Sequence, residues 1–139
     1  MVQNRLCYNR NIFGAIMICY IDGGYDNIRK RNPYASVRIY NNDGTEYGYA
    51  SKLVVDAKTN NEAEYQALLL CLFYLDLISS DKENTVYSDS KLMVNQVNGN
   101  WKINSINLYN LKLEVDEYRY TPFELKWLPR EEIFKQLGH

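Results

Sequence analysis

Three acids stand out by type and position. Asp22 closes an apolar run and precedes Gly23-Gly24, Glu64 lies in the opening turn of a long apolar segment, and Asp89 directly follows Thr85-Val86-Tyr87-Ser88. Hard carboxylate oxygens with no Cys or His among them suit magnesium or manganese far better than zinc. Gathered without a counter-charge, three such groups repel one another and raise each other's pKa. Taken singly, each acid reads equally well as a turn or cap residue, Asp-Gly being a common turn pair. The choice between these readings depends on whether the chain carries all three to one place.

The elements predicted from the pattern do so. Thr59 with Glu62 three residues on forms a capping box, which starts a helix running to Ile78. That helix is apolar on nearly every face, the mark of a buried element. Glu64 shares a stripe with Leu68, Cys71 and Leu75 (i+4, i+7, i+11), so the buried face carries it at the end nearest solvent. Phe13 to Ile21 reads as a buried strand stopped by Asp22-Gly23-Gly24. Tyr34 to Tyr40 alternates, Asn41-Asn42-Asp43-Gly44 is a hairpin turn, and Thr45 to Val55 returns as a strand. A short strand, Thr85 to Ser88, precedes helices over Lys91 to Val97 and Leu108 to Tyr118. A last strand, Phe123 to Leu128, follows Pro122. The order β-β-β-α-β-α-α-β defines an α/β domain with a mixed sheet. With the first and fourth strands parallel neighbours, a right-handed crossover puts the three acids at one sheet end, where open α/β sheets bind ligands.

At 139 residues, 46% hydrophobic and 24% charged, the chain has the size and composition of one globular domain (1–139). Residues 1–11 read as a loose leader, and 129–139 either as a short terminal helix beginning at Pro129-Arg130-Glu131-Glu132 or as a short or poorly ordered tail. The net charge of -1 lacks the global basic signature of a nucleic-acid binder, although Arg29-Lys30-Arg31 form a local basic loop. Cys7, Cys19 and Cys71 show no CxxC spacing, which points to a reducing compartment and a cytoplasmic, intracellular protein. The run Ile12 to Ile21 is far shorter than the ~20 residues needed to span a bilayer, so no membrane partner is expected, and the chain is expected to be monomeric.

Three segments in order carry a resemblance to a known family. Tyr20-Ile21-Asp22-Gly23-Gly24, Thr59-Asn60-Asn61-Glu62-Ala63-Glu64-Tyr65 and Ser88-Asp89-Ser90 resemble the three acidic motifs of the type 1 ribonucleases H. Val94 to Lys102 and Trp127-Leu128-Pro129-Arg130-Glu131 are most similar to members lacking the basic protrusion. The resemblance covers about residues 16 to 132. It implies a five-stranded mixed sheet with the first three strands antiparallel, and an endonuclease that hydrolyses the RNA strand of RNA–DNA hybrids. It further implies that Asp22, Glu64 and Asp89 are catalytic metal ligands for two Mg2+ or Mn2+ ions, with Asp22 bridging them; paired ions of this kind serve in-line phosphodiester displacement. Nucleic-acid contacts would come from Gly23, Thr59, Asn60, Asn61 and Ser90, the carboxamides reading the minor groove and its 2′-hydroxyls. In the free protein Thr59 is expected to cap its helix. Arg29, Lys30, Arg31, Trp101 and Arg130 are further contact candidates, with Trp101 reading equally as a core residue.

The chain departs from the family at its end. The fourth acid usual on a terminal helix falls at about Leu137, so a weak second ion is expected, with Glu131, Glu132 or His139 as substitute ligands. The departure supports a rival reading as a nucleic-acid-binding module of the same fold with weak or no catalysis. A third reading is another nuclease on this fold, such as an exonuclease or junction resolvase.

Overall fold

The computed structural model describes residues 16–25, 32–78 and 82–138. The expected leader, the basic loop residues Arg29 to Arg31 and His139 lie outside them. Strands β1 (Met17–Gly24), β2 (Tyr34–Asn41) and β3 (Glu46–Leu53) precede helix α1 (Asn60–Ile78). Then come β4 (Asn84–Ser88), α2 (Lys91–Val97), α3 (Ile106–Asp116), β5 (Phe123–Trp127) and α4 (Arg130–Leu137). The sheet order is β3-β2-β1-β4-β5. The first three strands pair antiparallel, and β1–β4 and β4–β5 pair parallel.

The β1 side chains alternate between two faces. Met17, Cys19 and Ile21 are fully buried and belong to one core with Leu68, Cys71, Leu72 and Leu75 of α1. Each fully buried Leu there is worth about 1.5–3 kcal/mol of removed apolar area. On the alternate residues, Tyr20 stacks on Tyr87 and meets Tyr40 edge-on. Buried Asn84 ties the far end of the sheet together: its Oδ1 accepts from Met17 N at 2.9 Å and its Nδ2 donates to the Pro122 carbonyl at 3.0 Å. The β2–β3 turn is closed by Gly44 N donating to Asn41 O at 3.0 Å. Gly44 itself has φ +94°, a left-handed conformation that glycine adopts without strain.

Several elements differ from their sequence reading. α1 is not buried on every side: α3 packs against it, but Phe73 and Leu77, four residues apart, remain exposed. An apolar sequence states what can be buried, and the neighbours available decide what is. The capping box is also shifted by one residue. Thr59 Oγ1 accepts from Glu62 N at 3.1 Å as expected, yet Glu62 Oε1 reaches back to Lys58 N at 2.9 Å. Glu62 Oε2 takes a third bond from Asn107 Nδ2 at 3.3 Å, linking α1 to α3.

Of the two readings of the chain end, residues Arg130–Leu137 take the short helix, held because Ile133 and Leu137, one turn apart, are both buried. The helix ends at Gly138, φ +80°. Its last carbonyls accept from the sheet, Gln136 O from Tyr40 OH at 3.3 Å and Leu137 O from Arg38 Nη2 at 3.4 Å. Among the described residues, no helix is long and apolar enough to cross a membrane.

Candidate metal centre

Tyr20 of β1 and Tyr87 of β4 are partners in the parallel ladder. Asp22 and Asp89 each lie two residues further on, so the two acids leave adjacent strands at the same level. Glu64 arrives from the first turn of α1. Each of the three offers a carboxylate oxygen, and these oxygens all lie within 4.8 Å of one another.

Gly23 makes that convergence possible. A Cβ built there would stand 2.1 Å from the Ala63 carbonyl oxygen, so only a residue without a side chain lets β1 touch α1. Gly23 N then donates to Glu64 Oε1 at 3.2 Å. The Asp-Gly pair is part of the strand, which continues to Gly24, and is not a turn.

Among the described residues, burial and mutual repulsion of the acids outweigh the nearby positive charge at Glu64. Burial, then Asp22 and Asp89, push the Glu64 carboxyl up to about 9, against the opposing pull of Gly23 N–H and Arg130. Arg130 Nε lies 3.4 Å from Asp89 Oδ2, and that buried oxygen has no hydrogen-bond partner among the described residues. Tyr34 OH donates to Asp22 Oδ2 at 2.8 Å. Burial and that bond raise the phenol well above its ordinary value, so it remains a donor. A buried all-oxygen trio with an unsatisfied carboxylate oxygen fits a hard divalent cation.

The remaining sequence candidates fall in several places. Asn60 and Asn61 are exposed at the mouth of α1, and Asn60 Oδ1 accepts from Tyr25 N at 2.7 Å. Thr59 caps α1, as expected for the free protein. Ser90 caps α2, its Oγ accepting from Met93 N at 3.2 Å. Trp101 is exposed, which removes the core reading; it sits in a turn closed by Asn95 O. Glu131 and Glu132 are exposed on α4 and are not members of the carboxylate group.

Leu137 is buried, and its carbonyl meets Arg38, the cross-strand partner of Tyr20. The α4 residues that reach the site are Arg130 and Phe134, which line a groove of about 810 Å³ with Asp22, Gly24, Tyr34, Asn60 and Glu64. Tyr34 and Phe134 were missed from sequence. An aromatic residue opening a strand and another inside a short helix carry no local signal of the cleft they enter.

A family model described as RNase H matches residues 14–128. The uncharacterised protein YpeP of Bacillus subtilis is 32% identical over 83 residues, 59% of this chain and 37% of YpeP. The bifunctional protein Rv2228c of Mycobacterium tuberculosis is 32% identical over 82 residues, 58% of this chain and 22% of its own length. The matched region thus spans little more than a third of these relatives at most. Among solved structures, the N-terminal RNase H domain of Rv2228c is similar with a TM-score of 0.76 at 25% identity, covering 87% of this chain and 94% of that one. LC11-RNase H1 in complex with RNA/DNA hybrid is similar with a TM-score of 0.77 at 26% identity, covering 86% and 89%.

Proposed function

The chain belongs to the ribonuclease H family, and from that premise we propose that it is an endonuclease hydrolysing the RNA strand of RNA–DNA hybrids with Mg2+ or Mn2+. The observation that carries this reading is the convergence of Asp22, Glu64 and Asp89 within 4.8 Å at one end of the sheet. Divalent ions held by these carboxylates would supply charge neutralisation and an activated water for in-line displacement at a phosphodiester.

The chain's own residues do the rest. Gly23 N–H and Tyr34 OH orient two of the three carboxylates. The capped mouth of α1 presents Asn60 and Asn61, short carboxamides able to donate to and accept from 2′-hydroxyls and base edges. Gly23, which lines the groove, and Ser90, next in sequence to Asp89, would add contacts beside the acids, and Trp101 offers an exposed ring to a sugar or base. Arg130, largely exposed yet paired with Asp89, is placed to meet a backbone phosphate. The similarity to an RNase H1 solved with bound hybrid supports the same substrate class here.

A second reading is favoured by the α4 residues that line the groove, a cation and an aromatic ring with no acid. With three carboxylates, a second ion would be held weakly, and the chain would bind hybrids while cleaving them poorly. The test compares labelled RNA–DNA hybrid, double-stranded RNA and double-stranded DNA, each with Mg2+ and with Mn2+. Cleavage confined to the RNA strand of the hybrid supports the endonuclease. Binding to hybrid without cleavage in either metal supports the second reading, and cleavage of DNA duplex assigns the chain to a different nuclease class.

A further inference from the structure

We propose that Tyr34 is a positioning residue for the ion site, its phenol fixing the rotamer of Asp22 so that the carboxylate is already aimed when a divalent ion arrives. The inference rests on the reading of Asp22, Glu64 and Asp89 as an ion site, and adds a residue outside the three acidic motifs.

Tyr34 opens β2 and pairs across the ladder with Gly24, two residues beyond Asp22. Its ring lies over that glycine. A Cβ at position 24 would stand 2.8 Å from Tyr34 Cε1 and 2.9 Å from its hydroxyl oxygen. Bare backbone at Gly24 is therefore what allows the ring to cross onto β1 and place its hydroxyl 2.8 Å from Asp22 Oδ2. The two residues act as one device, a ring and the gap it occupies.

The three acids are held by different means. Glu64 accepts from the Gly23 backbone, and Asp89 faces the Arg130 guanidinium. Asp22 accepts from the neutral Tyr34 hydroxyl, a donor that orients the carboxylate and brings no charge of its own. A buried acidic side chain free to rotate would lose its rotamer entropy on binding the ion; one held beforehand has already lost it. Partners of this kind behind a metal ligand are typically worth 10- to 100-fold in metal affinity.

Mn2+ binding, read from the electron paramagnetic resonance signal of free Mn2+, tests the proposal on the full chain. The variants are Tyr34→Phe, Gly24→Ala, the pair together, and Asp22→Asn, with melting in EDTA confirming that each is folded. Tyr34→Phe is expected to weaken Mn2+ binding about tenfold. Gly24→Ala, which displaces the ring and keeps the hydroxyl, should weaken it in the same direction, and the double variant should lose no more than Tyr34→Phe alone. That non-additivity is the signature of one device. If Tyr34→Phe does not fold, the loss or retention of affinity in Gly24→Ala decides the question. Wild-type affinity in folded Tyr34→Phe, alongside loss in Asp22→Asn, overturns the role of Tyr34 and leaves the ion site standing. Wild-type affinity in Asp22→Asn overturns the ion site itself, and this inference with it.

Discussion

Gly23 and Ala63 touch backbone to backbone, a Cβ on the glycine falling 2.1 Å from the Ala63 carbonyl oxygen. This contact sets the distance between β1 and α1 at the point where Asp22 and Glu64 emerge. Gly23→Ala must separate the two elements, because the clash is with main chain and no side chain can swing aside. It is expected to lower stability by about 2 kcal/mol or more, seen as a reduced urea midpoint, and to weaken Mn2+ binding as the carboxylates part. A variant with unchanged midpoint and affinity would show that the contact is not a constraint.

The raised Glu64 carboxyl predicts a pH dependence of metal-free stability. The folded protein keeps this proton up to about 9, while the unfolded chain releases it near the ordinary value of 4.5. Above 4.5 the unfolded state therefore binds fewer protons, and stability falls as pH rises through that window. Urea midpoints measured in EDTA across the window should decline, and Glu64→Gln should flatten the decline. Saturating Mn2+ should offset it by binding the ionised form, with proton release on binding. A midpoint rising with pH in EDTA, in wild type but not in Glu64→Gln, would contradict this assignment.

Discrimination for hybrids should reside at the mouth of α1. Asn60→Ala with Asn61→Ala should reduce the preference for hybrid over DNA duplex by about 1 kcal/mol per lost contact, leaving Mn2+ affinity nearly unchanged. Asn60 also holds Tyr25 N, so its removal should have the larger effect. Competition binding with the two duplexes checks this, and an unaltered preference would move recognition elsewhere.

On α4 the structure gives Leu137 and Phe134 different surroundings. Leu137 is buried beneath the helix, so Leu137→Asp should cost about 3 kcal/mol or more through a lost apolar contact and a buried acid. Phe134 lines the groove beside Glu64 and Asp22. Phe134→Asp should instead lower the Mn2+ concentration for half-maximal cleavage, by adding a carboxylate to the second ion. Thermal melting and metal titration of the two variants distinguish them, and a folded, more active Leu137→Asp would reverse the assignment.

The succession of strands and helices and the start of α1 were legible because each depends on local pattern, whereas the five-stranded mixed sheet was legible only through the family resemblance. Asp22 lies near the end of β1 and Asp89 directly follows β4, strands of matched register, and Glu64 follows a cap that Thr59 announces. What was not legible depends on neighbours. Phe73 and Leu77 read as buried because apolarity does not record which faces find a partner. The end of the chain left a short helix and a loose tail both open, because two buried positions, Ile133 and Leu137, are a weak periodic signal. Tyr34 is the instructive case: alternation in β2 assigns its face, but its reach to Asp22 depends on an empty position across the ladder at Gly24.

The most direct test of the account is Mn2+-dependent cleavage of a labelled RNA–DNA hybrid by wild type and Asp22→Asn, with both proteins shown to be folded by melting. The account predicts cleavage of the RNA strand by the wild type, abolished by EDTA and reduced by at least about a hundredfold in Asp22→Asn, as expected when a group acting directly on the reaction is lost. Equal cleavage by the two proteins would contradict it.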